Sequence, residues 1–74
     1  MGKLRRLSGQ DVRRILEVNG FTYVRQRGSH MVMQRVGNDL PTVTAIVPDH
    51  GELRTGTLLS VIRQSGLPRQ LFEA

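Results

Sequence analysis

Four residues, Arg27-Gly28-Ser29-His30, constrain the fold of this chain most. Phe21 to Arg27 and His30 to Arg35 read as strands on either side, and Gly28-Ser29 is a two-residue loop with the positive-φ chemistry that tight hairpins need. So short a loop sets a register. With Arg27 opposite His30, Arg25 faces Val32 and Tyr23 faces Gln34 on one side of the ribbon, while Gln26 faces Met31 and Val24 faces Met33 on the other. His30 is thereby placed beside Arg25 and Arg27. An imidazole next to two permanent cations suits an anionic phosphodiester, because the proton-transfer group stands where negative charge is held.

Composition narrows the partner. The 74 residues make one small domain spanning 1–74, near the size at which a single core holds a fold without staples. There is no cysteine, hence neither a disulfide framework nor a thiolate zinc site, and no apolar run reaches the length of a membrane span or a signal peptide. A cytoplasmic protein with no membrane partner is the expectation. The formal charge of +5, supplied mainly by arginine, favours an anionic partner. One tyrosine and two phenylalanines are few for stacking single-stranded bases, so backbone and shape recognition is expected over base stacking.

Met1 to Leu7, carrying Lys3, Arg5 and Arg6, is read as a mobile or edge segment whose charge is solvated, with electrostatic steering as the alternative. Ser8 has the character of a helix N-cap, with Asp11 in the first turn, and Val12, Ile15 and Leu16 make an apolar stripe for a helix over Gly9 to Asn19, stopped at Gly20. After the hairpin, Gly37-Asn38-Asp39 marks a turn. Thr42 to Val47 is a third, β-branched strand closed by Pro48. Thr55 is the expected N-cap of a second helix from Gly56 to Ser65 with Leu58, Leu59 and Ile62 as its stripe; Pro68 then opens a short last helical turn through Phe72. The predicted fold is α+β, a three-stranded antiparallel meander with two helices on one face in the order α-β-β-β-α. That order matches the double-stranded-RNA-binding domain, and it leaves the face holding Arg25, Arg27 and His30 open to water.

Several segments together resemble the HicA-type (YcfA-like) toxins of bacterial type II toxin–antitoxin pairs: Gly20-Phe21, Arg25 to His30, Val47-Pro48-Asp49-His50 and Gly56 to Leu67. They run in the family's order from about Ser8 to Phe72. The resemblance implies a ribosome-independent ribonuclease of the mRNA interferase kind, with mRNA as substrate, His30 as the catalytic residue and a HicB-type antitoxin as inhibitor. His50 falls in the family's Pro-x-His motif and is carried over by position only. The chain departs from the family pattern before the second helix, where Gly51-Glu52-Leu53-Arg54-Thr55 stands in place of a Lys-Glu-Leu-Lys-Pro type run.

The chemistry expected of His30 follows from RNA itself. RNA carries its nucleophile as the 2′-hydroxyl, so a protein needs only to move protons and stabilise the charge on phosphorus, work that an imidazole titrating near neutrality can do. Arg25, Arg27, Ser29 and Lys3 are the residues expected to contact RNA. Ser29 is read as a turn residue rather than a nucleophile, since no Asp or Glu is placed to orient His30 in a triad. His50 is given a structural role in the loop before the second helix. The two histidines and the scattered carboxylates lack metal-ligand spacing, so neither a metal nor a cofactor is expected, and DNA is not expected as a partner of this chain alone. The alternative is a non-catalytic double-stranded-RNA-binding module, which would use basic residues at a helix N-terminus, where this chain has only Arg54.

Overall fold

Ser8 begins the first helix by reciprocal capping. Its hydroxyl accepts from the Asp11 N–H (3.0 Å), and the Asp11 carboxylate accepts from the Ser8 N–H (3.0 Å), so helix donors that would otherwise be unpaired are satisfied. In the computed structural model, which describes residues 2–74, this gives α1 (Gly9–Val18), followed by β1 (Thr22–Arg27), β2 (His30–Arg35), β3 (Val43–Pro48), α2 (Thr55–Ser65) and a 3₁₀ turn at Arg69–Phe72. The order is α-β-β-β-α, as expected.

The cap makes α1 acid-sensitive. The Ser8 backbone N–H, then the Ser8 hydroxyl and the nearby Arg14, hold the Asp11 carboxyl below its ordinary value of 3.8. A carboxyl depressed in the folded state contributes stability that is fully present above 3.8 and is lost as pH falls from there through the lowered value. Ser8→Ala should cost about 1 kcal/mol at neutral pH, and its deficit in urea midpoint relative to the native chain should shrink below pH 3.8. A deficit that stays constant into acid would show that the Ser8 hydroxyl has no part in holding the Asp11 carboxyl down, which its backbone N–H would then do without it.

The sheet is antiparallel in the order β1-β2-β3. Met31 and Met33 of β2 and Ala45 and Val47 of β3 are fully buried against Val12 and Leu16 of α1 and Leu58, Val61 and Ile62 of α2. The alternate residues His30, Val32 and Gln34, with Thr44 and Ile46, face the other way. Phe72, fully buried on the last turn, closes the end of this core.

The register holds from the loop through Arg27↔His30, Gln26↔Met31 and Arg25↔Val32, and then shifts. Tyr23 pairs with Met33 and Thr22 with Gln34, so Tyr23 is on the core face, where the Arg13 guanidinium lies 4.1 Å from the centre of its ring. Val24, expected opposite Met33, is displaced and 45% exposed. The cause is a conflict of phase. Phe21 is buried while Arg25 and Arg27 are solvated, yet all three are odd-numbered, and strict alternation would put them on one face. A bulge at Val24 adds one residue and lets both ends of β1 face correctly.

Two further expectations are revised, and of the two readings of the N-terminal segment the edge is the one found. Arg54, in extended backbone, is the N-cap of α2 and makes no side-chain cap, while Thr55 is the first helical residue. The apolar stripe of α2 uses Val61 beside Leu58 and Ile62, leaving Leu59 at the surface. The N-terminal segment is an edge and not a loose tail: Leu4 bridges Glu73, the Arg5 N–H donates to the Phe72 carbonyl (2.9 Å), the Leu53 N–H donates to Leu7 (2.8 Å), and Leu7 is buried. Two leucines amid the basic residues give that segment something to bury. Met1 of that segment lies outside the described residues.

Candidate active site

His30 is placed by backbone. As the first residue of β2 it pairs with Arg27 of β1 and Pro48 of β3, which holds it between neighbours on both sides. Gly28, at φ +60°, makes the turn that brings Arg27 to it, and nothing lies within 4 Å of where a Cβ at Gly28 would be. The turn is tied down from beneath. The Asp49 N–H donates to the Ser29 carbonyl (2.6 Å), and the Gly9 N–H donates to the His50 carbonyl (2.9 Å), so the hairpin loop, the β3 exit and the start of α1 are joined.

His30, Arg25 and Arg27 line one depression of about 570 Å³ on the open sheet face. Val32 and Ile46 make its floor, and Gln34 and Thr44 close the far end. No carboxylate lines it. Among the described residues, the ion pairs are Arg13–Glu17, Arg14–Asp11 and Arg69–Glu73, all on other surfaces, so the charge of Arg25 and Arg27 is available to a ligand. This is the juxtaposition expected from the hairpin register. A positively charged concavity on rigid strands, with a titratable imidazole at its rim, can hold a phosphate and move a proton next to it.

A second depression, of about 400 Å³, shares His30 and Ile46 with the first and continues over the β3 edge onto α2. Apart from His30 it is lined by uncharged residues, the polar Thr57, Ser60 and Gln64 together with the apolar Pro48 and Val61. Gln64 has a structural duty here: its Oε1 accepts from the Ile46 N–H (2.9 Å) at the free edge of β3, and its Nε2 donates to the Ser60 hydroxyl (3.4 Å). The α2 residues around His30 were not found from the sequence, where only their helical spacing was visible. Their approach to His30 depends on how α2 seats against β3.

The remaining expected residues fall elsewhere. Ser29 is exposed at the turn with its carbonyl engaged by Asp49, and it lines neither depression. Lys3 lies in a separate crevice beside Arg54. The His50 side chain is exposed and lines neither depression holding His30, while its backbone carbonyl anchors α1. Among the described residues, no three His, Asp or Glu side chains cluster as metal ligands, and no helix is long and apolar enough to cross a membrane.

A family model described as the HicA toxin of bacterial toxin–antitoxin systems matches residues 9–67. The chain belongs to the HicA toxin family. It is therefore a toxin of a bacterial toxin–antitoxin system, with an antitoxin as its partner. No curated protein matches it as a relative. The match takes in β1 to α2, and so every residue lining the two depressions at His30 of this HicA chain. Lys3, Arg5 and Arg6 lie outside it.

Proposed function

We propose that this toxin is a metal-independent endoribonuclease that cuts mRNA in the cytoplasm and is silenced by a HicB-type antitoxin covering its cationic face. The observation that supports it most is His30 beside Arg25 and Arg27 in a depression free of carboxylates. The 2′-hydroxyl oxygen attacks phosphorus and the bond from phosphorus to the 5′-oxygen breaks. The proton leaves the 2′-oxygen for a base, and a proton is delivered to the departing 5′-oxygen. His30 is the group in place for one of these transfers, and the two guanidiniums offset the charge that grows on the non-bridging oxygens. Ser29 lies in the turn outside this depression, so its proposed contact is to RNA beyond the cleaved phosphate.

Cleavage of a single-stranded mRNA with EDTA present, followed by mapping of the ends, tests this. The expected products carry 2′,3′-cyclic phosphate and 5′-hydroxyl termini. Products with 5′-phosphate, or activity that EDTA removes, would overturn the 2′-hydroxyl route. RNA that is bound but never cut would point instead to the double-stranded-RNA-binding module that shares this fold.

A further inference from the structure

Resting on the ribonuclease reading, we propose that a single RNA strand continues from His30 across the first turn of α2 into a second cationic crevice, formed by Lys3, Arg5, Arg6 and Arg54, which binds its phosphates at a distance from the cleaved bond. The crevice has a volume of about 460 Å³ and lies where the N-terminal segment passes the start of α2. Four cations face a single carboxylate, Glu52, and none of the four takes part in an ion pair among the described residues. Its cations stand on backbone that is fixed at several points. The Arg5 N–H donates to Phe72, the Ala74 N–H to Lys3 (2.8 Å) and the Leu53 N–H to Leu7, so the basic residues present a built surface.

The first turn of α2 stands between this crevice and the reaction site. Gly56 and Thr57 line the second depression that contains His30, while Arg54, Thr55 and Leu58 of the same turn line the cationic crevice. Gly56 leaves open space on that turn, since a Cβ there would meet nothing within 4 Å. Cations therefore stand on both sides of that turn, Arg25 and Arg27 beyond the hydroxyls of Thr57 and Ser60, and Arg54 and Arg5 in the crevice. A flexible single strand can follow this bend over the β3 edge and lay its backbone on the cations at either end. An acidic protein would also be drawn to arginines, but the concave shape and its place one helical turn from the His30 depression favour a phosphate chain, for which the arginine fork suits bidentate contact.

The test uses the double variant Arg5→Gln/Arg54→Gln, both side chains being exposed. Around one mapped cleavage position, RNAs are shortened from the 5′ or the 3′ side. For the native toxin, shortening on one side only should lower kcat/KM roughly tenfold, and the double variant should show a loss of that order on the full RNA with no further loss on shortening. Independently of cleavage, RNA binding by the His30→Ala protein should lose about 1.4 from the slope of log affinity against log salt when the two arginines are replaced. Native and variant proteins equally sensitive to shortening, or an unchanged salt slope, would overturn the crevice while leaving the ribonuclease reading intact. A variant that keeps RNA binding and loses only antitoxin affinity would assign the crevice to the protein partner. Failure of the native toxin to cut any RNA would remove both readings together.

Discussion

His30→Ala is expected to lower the rate of RNA cleavage by roughly 10²–10⁴-fold, the range that a positioned proton-transfer group supplies, while RNA affinity stays close to that of the native toxin. The separation of the two effects follows from the site. In the proposed reaction Arg25 and Arg27 hold phosphate and are untouched by the change, whereas His30 is the one imidazole lining their depression and is the proposed proton-transfer group. Stability should hardly move. His30 is exposed, its imidazole hydrogen-bonds no described residue, and its place in the ladder is made by backbone. Single-turnover cleavage, direct RNA binding and a thermal melt on the same preparation check all three statements. A variant that still cleaves at the native rate would remove His30 from the chemistry, and one that loses affinity and rate in equal measure would make it a binding group only.

Gly9→Ala is expected to destabilise the fold by about 3 kcal/mol or more, a large share of the stability of so small a domain. A Cβ at Gly9 would stand 2.0 Å from the Pro48 carbonyl oxygen and 3.0 Å from the Asp49 Cα, and both are backbone atoms that cannot swing aside. The first turn of α1 would have to withdraw from the end of β3, breaking the Gly9–His50 hydrogen bond that ties these elements. Gly56→Ala is the contrasting case. There the new methyl meets nothing, and alanine's helix preference should raise stability by up to about 1 kcal/mol. Denaturant midpoints of the two variants should therefore move in opposite directions. If both gain, α1 and the β3 exit are not in contact as described. Because Asp49 also holds the Ser29 carbonyl, Gly9→Ala should loosen the hairpin turn at His30 and lower activity before the protein unfolds.

Much of this architecture was legible locally. Ser8 and Asp11 marked a helix start, Gly28-Ser29 a hairpin, and the β-branched run before Pro48 a third strand; each is a short-range preference that tertiary contacts reinforce. The bulge at Val24 also had a signal, since Phe21 and Tyr23 are apolar and Arg25 and Arg27 are not, although their spacing demands one face. The N-terminal segment was harder. Lys3, Arg5 and Arg6 gave it the composition of a solvated tail, and the burial of Leu7 arises only when Leu53 and the C-terminal residues lie alongside.

By itself the sequence determined the elements, the hairpin register that puts His30 beside Arg27 and Arg25, and the net positive charge. These depend on residues near one another in the chain, where turn chemistry and alternation act without reference to the rest. The tertiary structure alone decided what surrounds that trio. It brought Thr57, Ser60 and Gln64 to the far side of His30, set Arg54 against Arg5, and placed Gly9 against Pro48. Those approaches follow from how helices seat on a twisted sheet, a consequence of close packing among residues distant in sequence that no local pattern encodes.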